Sequence, residues 1–230
     1  MKVKKIAFAA LFAALAYVAM FATSWIKVMF LTFDAKDAVI ALAGLIFGPV
    51  YSLSISLVVA VIEFITVGDT GFYGFFMNLL SSAVFSTVCA LIYKYKRDFM
   101  GAIIGLICSV LAVTATMMLF NLIVTPLYMN VDRSVVASMI PTLFLPFNLT
   151  KASLNASLVL ILYKPVSTAL KAARVLPRSS SLKFFGEDVS AKKKKIFFSL
   201  SMTLVGVVVM VICIVVFFLV LGGEFVPFWK

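Results

Sequence analysis

The chain has 230 residues, of which 64% are hydrophobic and only 13% are charged. Several uncharged runs exceed the roughly 18 residues that mark a membrane-spanning helix, and this composition excludes a water-soluble domain. The net charge of +11 would suggest a nucleic-acid partner in a soluble protein, but basic residues collect in the cytoplasmic loops of membrane proteins. The sequence therefore predicts an all-α polytopic membrane protein that binds no nucleic acid.

The first predicted span covers residues 6–22 and follows a basic N-terminus. Residues 20–23 resemble the cleavage region of a secretory signal, but further spans follow at once, so we interpret this segment as a retained helix. A charged loop over residues 23–37 comes next, and its Trp25 suits a membrane interface.

The next uncharged run, residues 38–62, is interrupted by Gly48-Pro49. It is either one kinked span or a hairpin of two shorter helices. In a hairpin, the N-terminus, residues 94–97 and residues 164–195 share one side, which then holds fifteen of the 20 Lys and Arg residues. The positive-inside rule favours the hairpin. Its first helix would have about ten to twelve residues and would be tilted, broken or sheltered by neighbours.

The remaining predicted spans are residues 75–93, 100–128, 146–163 and 196–221. The expected organisation is a six-helix core (residues 1–170), a basic cytoplasmic linker (171–195) and an additional C-terminal transmembrane helix (196–230). Both ends of the core are then cytoplasmic, and the seventh helix crosses outward. We expect a multi-pass protein of the cell membrane with a cytoplasmic N-terminus and an extracellular C-terminus.

Polar side chains inside the predicted spans are candidate binding groups, because they are costly in lipid. They fall at helical spacings on spans three to six, as Ser52, Ser56 and Glu63, as Asn78 and Ser82, as Thr114, Asn121 and Thr125, and as Asn148, Lys151 and Asn155. Their convergence predicts a pocket that opens to the outside and accepts a small molecule with polar and aromatic parts.

Each of these groups also has a simpler interpretation. Lys151 lies near the outer end of its span and could extend its ammonium to the interface. The Asn and Thr side chains could serve only to hold helices together. Glu63 could be interfacial, because it lies close to a predicted loop.

The sequence contains none of the common catalytic signatures. It has no His, and it lacks the Walker A, HExxH and GxSxG motifs. We therefore expect no enzyme, no metal site and no cofactor. Energy for any uptake must come from a gradient or from a partner protein.

The first span is rich in alanine at helical spacing. Ala9 lies one turn before Ala13, and Ala10 one turn before Ala14. Small residues at this spacing allow another helix to approach closely. The partner could be a second protein, or simply another helix of the same bundle.

Several segments together carry a family resemblance: Ala9 and Ala13, residues 31–37, residues 47–49, residues 121–128 and residues 146–155. Over residues 1–170 the chain resembles the substrate-binding (S) component of energy-coupling factor (ECF) vitamin transporters, most of all the riboflavin-specific type. Such components capture a vitamin from outside beneath a lid formed by the first loop. They then dock onto a transmembrane coupling protein and two ATP-binding subunits, and ATP hydrolysis releases the vitamin inside.

The resemblance also implies roles for individual residues. Riboflavin would be a transported ligand and not a cofactor. The implied substrate-binding residues are Asn121 and Lys151, with Asn78 and Asn155 as secondary pocket groups and Asp37 positioning the lid. Ala9 and Ala13 would face the coupling protein.

Three alternatives stay open at this point. The seventh helix could indicate a divergent S component for another vitamin. An independent secondary transporter would need a coupling group, for which Glu63 is the candidate. A membrane scaffold would use the polar residues only for helix packing.

Overall fold

The computed structural model describes residues 2–68, 71–97, 99–172 and 191–226. The helices in this part of the chain are α1 (Lys2–Thr23), α2 (Lys36–Phe47), α3 (Pro49–Thr66), α4 (Gly71–Tyr95), α5 (Phe99–Met129), α6 (Arg133–Met139), α7 (Leu145–Ala172) and α8 (Ala191–Val215). Two π-helical turns, Ile140–Phe144 and Val216–Val220, precede α7 and follow α8. A small antiparallel sheet has the strand order β2-β1-β3 and contains β1 (Ile26–Val28), β2 (Leu31–Thr32) and β3 (Glu224–Phe225).

The architecture confirms the predicted helical membrane protein. Within the described residues, six helices are long and apolar enough to cross a membrane. The short helix α2 is a further element of the bundle, so the order of seven bundle helices follows the predicted spans. The three short strands are an addition that the sequence did not predict.

The predicted break at Gly48-Pro49 is confirmed as a junction between α2 and α3. Gly48 has a φ of +106°, a conformation that favours glycine, and Pro49 begins α3 where its missing N–H costs no hydrogen bond. The two helices pack against each other. A Cβ atom at Gly44 would lie only 2.9 Å from Ser52 Cβ, so the close approach of the pair requires a glycine.

Helix α2 is the most enclosed element of the bundle. Its twelve residues span about 18 Å, which is less than the roughly 30 Å hydrocarbon core of a bilayer. It packs against α1, α3, α4 and α7, and Ile40, Ala41 and Ala43 have no exposed surface. The expected shelter by neighbouring helices is therefore observed, and it covers most of this short helix from its first turn to Leu45.

Several helix boundaries differ from the predictions, and three of the differences change the predicted loop and linker. The predicted loop of residues 23–37 is shorter, because Lys36 and Asp37 form the first turn of α2, where their charges are buried among polar partners. Helix α7 continues to Ala172, nine residues past its predicted end at 163, since basic side chains can extend from a helix towards headgroups. Helix α8 begins at Ala191 and not at 196. Most of the predicted linker, residues 173–190, lies outside the described residues.

Candidate functional site

A cavity of about 650 Å³ lies at the end of the bundle that carries residues 24–35, the loop between α1 and α2, which we call the first loop. The first loop, α3, α4, α5 and α7 each contribute to its wall. The polar lining groups include Asp34, Glu63, Asn78, Asn121, Asn148 and Lys151, and the aromatic ones include Trp25, Phe64, Tyr73, Phe75, Tyr128 and Phe147. A pocket with a few polar groups on an apolar and aromatic wall is suited to a small molecule.

Two buried lysines form ion pairs with Asp34 and Glu63, the carboxylates that line the cavity. Lys151 Nζ lies 2.8 Å from Asp34 Oδ2, and Lys36 Nζ lies 2.7 Å from Glu63 Oε2. Lys36 Nζ also lies 3.5 Å from Asp34 Oδ2, so the two pairs are joined. Asn78 donates a hydrogen bond of 2.9 Å to the other oxygen of Glu63. The network connects the first loop with α2, α3, α4 and α7.

The pairing decides the protonation of the loop carboxylate. Burial would raise the pKa of Asp34, but the charges of Lys151 and then of Lys36 outweigh burial and hold the pKa below its usual value of 3.8. Asp34 is therefore ionised at neutral pH. Its second oxygen, Oδ1, is buried and has no hydrogen-bond partner among the residues that the structure describes. A buried carboxylate oxygen without a partner is an available acceptor for a ligand that donates a hydrogen bond.

Two asparagines present amide groups to the cavity. Asn121 on α5 donates to Met117 O at 2.7 Å and accepts from Thr125 Oγ1 at 2.9 Å. Asn148 on α7 donates to Phe144 O at 2.8 Å. An amide side chain has two donor hydrogens and two acceptor positions, so both groups retain capacity for a ligand.

Asn155 is placed differently from these residues. It has no exposed surface and does not line the cavity. Its Oδ1 accepts from Ala38 N at 3.0 Å, while its Nδ2 donates to Asp34 O at 3.0 Å and to Lys151 O at 3.1 Å. Asn155 therefore fixes the backbone of the first loop and of α2 against α7.

The five substrate-binding residues expected from the sequence thus divide into two groups. Asn78, Asn121 and Lys151 line the cavity. Asn155 and Asp37 do not, and Asp37 accepts a hydrogen bond from Ser82 in the bundle interior.

Sequence reasoning did not identify the carboxylate that pairs with Lys151. Asp34 belongs to the charged loop and to the segment 31–37 that carries the family resemblance, but 117 residues separate it from that lysine and no local pattern pairs the two. The sequence does indicate that some anion must lie near Lys151, because an unpaired ammonium inside a membrane span is energetically costly. The alternative in which Lys151 extends towards the interface does not describe the structure, where the residue is only 9% exposed and ion-paired.

Comparisons with known proteins agree with this geometry. Residues 4–163 match the family model described as "ECF transporter, substrate-specific component". This chain belongs to that family. It is 29% identical over 149 residues to the riboflavin transporter RibU of Staphylococcus aureus. The aligned region covers 62% of this chain and 78% of the relative.

A solved structure described as the S component of a bacterial ECF transporter has the same fold. The two superpose with a TM-score of 0.63 at 26% identity, over 74% of this S component and 99% of the solved chain. The superposition therefore includes nearly every residue of the solved chain. About a quarter of this S component lies beyond it, and the family match ends before α8. The family is one of transporters, so this S component is not an enzyme.

The alanines of α1 require a correction. Ala13 is only 5% exposed and packs in the main core of this S component, and Ala9 is half-buried against the same core. Ala13 therefore cannot present its side chain to another protein, because α2 and its neighbours already cover it. The exposed pair at the same spacing is Ala10 and Ala14.

Proposed function

We propose that this S component binds riboflavin and delivers it to an ATP-driven ECF module. The observation that carries the proposal is the cavity of about 650 Å³, in which directed polar groups face a lining of aromatic rings. Pockets for small molecules measure roughly 300–1,000 Å³, so the volume suits a vitamin. The likeness to a riboflavin transporter at 29% identity supports this particular vitamin.

The chemistry of riboflavin fits the two kinds of lining. The molecule is uncharged, with a flat aromatic ring system and a polyhydroxylated chain. Aromatic side chains provide flat apolar contact surface, and Phe64 and Phe75 already lie with ring centroids 5.5 Å apart in the wall. Asn121 and Asn148 can pair with the ring edge or with hydroxyl groups, since amides both donate and accept. The unpartnered oxygen of Asp34 can accept from a ligand N–H or O–H.

In this proposal some polar residues contact the vitamin and others position the wall or the first loop. Lys151 and Asn121 contact the vitamin directly, and Asn78 supports the wall through its bond to Glu63. Asn155 and Asp37 act through the position of the first loop and the start of α2, because neither reaches the cavity.

The partners follow from the family. We propose that a transmembrane coupling protein and two ATP-binding subunits form the module, and that the exposed face of α1 around Ala10 and Ala14 meets the coupling protein. The positive-inside rule puts the N-terminus in the cytoplasm and the cavity at the extracellular end. A vitamin would then be captured from outside.

The test of the ligand is an absorption spectrum of the protein purified in detergent. A tight riboflavin binder carries the flavin bands through purification and releases free flavin on denaturation. If the protein is colourless and does not quench the fluorescence of added riboflavin, the vitamin is a different one and a wider screen of vitamins identifies it.

A second experiment tests the source of energy. Uptake is measured in cells treated with a proton uncoupler while ATP is maintained. Uptake that persists supports an ATP-driven module. Uptake that collapses favours an independent secondary transporter, for which Glu63 would be the first coupling group to replace.

A further inference from the structure

The C-terminal segment contributes a strand to the sheet of the first loop. Strand β3 pairs antiparallel with β1, with Ile26 opposite Phe225 and Lys27 opposite Glu224. One residue further on, Val226 N donates a hydrogen bond of 2.7 Å to Trp25 O. The loop strand β1 is therefore held on one side by β2 and on the other by the segment that follows α8.

This third strand matters because the loop hairpin is small. Strand β1 has three residues and β2 has two. A two-stranded hairpin is marginally stable by itself, whereas a third strand or packing against a helix gives it independent stability. The first loop receives both from the C-terminal segment.

An aromatic cluster fastens the same segment to the bundle. Phe217, only 2% exposed, lies with its ring centroid 6.1 Å from that of Phe33 in the first loop and 6.2 Å from that of Phe147 on α7. Phe218 stacks on Phe225 of β3 at 5.1 Å. Together these rings connect α7, the first loop and β3.

Helix α8 itself is fitted closely to α7. A Cβ atom at Gly206 would lie 3.0 Å from Ile161 Cγ1 and 3.2 Å from Ser157 O, so the two helices approach at this glycine. Val226 meanwhile lies in the wall of the cavity, beside Trp25 and Lys27 of the first loop. The segment is thus anchored on the helix that carries Lys151 and ends at the cavity.

We propose that residues 203–226 hold the first loop over the cavity and thereby slow the release of the bound vitamin. The part of the proposal that concerns release rests on the proposed binding of riboflavin. The part that concerns the loop does not, because it follows from the sheet and the aromatic cluster alone. The segment lies beyond the residues matched to the family, so it is an addition of this chain to the common core.

The first readout is amide hydrogen exchange of residues 24–33 in the ligand-free full-length protein. Val226→Pro removes the N–H that bonds to Trp25 O, while Val226→Ala shortens the side chain and keeps that N–H. We expect about five-fold faster exchange in the proline variant than in the alanine variant, the effect of losing one hydrogen bond. Equal exchange in the two variants overturns the proposal.

Phe217→Ala provides an independent test, with Leu219→Ala as its matched control. Leu219 is 81% exposed in the same turn, so its truncation leaves the aromatic cluster intact. We expect faster exchange in the first loop for Phe217→Ala alone. If Phe217→Ala fails to fold, the proline and alanine pair still decides the question.

The second readout is the rate of riboflavin release, followed by the recovery of flavin fluorescence. Val226→Pro is expected to release riboflavin several-fold faster than Val226→Ala. Faster exchange without faster release overturns the role in retention. If the unsubstituted protein does not bind riboflavin at all, the proposed function fails, and the exchange experiment still tests the hold on the loop.

Discussion

Lys151 Nζ and Asp34 Oδ2 lie 2.8 Å apart and join the first loop to α7 across 117 residues of sequence. The pair lines the cavity, so one contact serves both the position of the loop and the chemistry of the wall. Lys36, 3.5 Å from the same oxygen, extends the connection to α3 through Glu63.

The pair predicts a non-additive response to mutation. Lys151→Met should lower the free energy of unfolding by about 1.5–3 kcal/mol, the range for a hydrogen bond to a charged group, because within the described part of the chain Asp34 then keeps only Lys36 as a cationic partner. Asp34→Asn should also destabilise, since it leaves the Lys151 charge buried without its anion. The double variant should be more stable than the sum of the single effects indicates.

The measurement is chemical unfolding in detergent micelles for the two single variants and the double variant. Lys164→Met, on the same helix but outside the cavity lining, is the control for loss of a basic side chain. Strict additivity of the two single effects would show that the two side chains do not interact in solution.

Removing either cavity-lining asparagine amide is expected to lower the affinity for riboflavin without a large loss in the free energy of unfolding. Asn121→Ala and Asn148→Ala should each weaken riboflavin binding by about ten-fold, because each removes a hydrogen bond of roughly 1.4 kcal/mol from the ligand. Fluorescence quenching of riboflavin gives the dissociation constants. Thr116→Val on α5 is the matched control, since Thr116 also bonds to a carbonyl of its own helix but does not line the cavity.

The alternative interpretation of these asparagines makes a different prediction. If they serve only to hold helices together, the thermal midpoint falls and the dissociation constant of the folded protein stays unchanged. The two measurements on the same samples therefore distinguish a ligand contact from helix packing.

Substitution of Asn155, which lies outside the cavity lining, is expected to weaken riboflavin binding indirectly. Asn155→Ala removes the bonds to Ala38 N and Asp34 O, so the first loop keeps the Lys151–Asp34 ion pair but loses its backbone attachment to α7. Riboflavin affinity should fall by about ten-fold through a looser loop, although no ligand contact is removed. The comparison is with Ser157→Ala, because Ser157 is equally buried and its hydroxyl bonds within its own helix, to Leu154 O. Equal affinities in the two variants would contradict the positioning role.

Much of this architecture could be predicted because hydropathy and loop charge are strong signals in membrane proteins. The break at Gly48-Pro49 is an example, since the charge distribution alone favoured two helices over one. The cavity-lining positions of Asn78, Asn121 and Lys151 followed from the rarity of polar groups in apolar spans.

The features that could not be predicted depend on contacts between distant segments. Nothing local marks Asp34 as the partner of Lys151, or Glu224–Phe225 as a strand, because both require the folded bundle to bring their partners close. The sequence also does not determine which face of α1 packs inside the bundle, and the expectation that Ala9 and Ala13 face the coupling protein depended on that face. Its paired alanines, Ala9-Ala10 and Ala13-Ala14, offer two adjacent stripes, and only the packing shows which one is covered.

The two stripes of α1 lead to opposite predictions. Ala14→Leu adds bulk on the exposed face, so riboflavin binding and stability should be retained while uptake into cells is lost through impaired docking on the coupling protein. Ala13→Leu adds bulk inside the packed core and should destabilise the protein by about 1–3 kcal/mol. Thermal unfolding, riboflavin binding and uptake are measured for both variants, with the unsubstituted protein as the reference. Normal uptake by the Ala14→Leu variant would show that the coupling protein meets another face of the bundle.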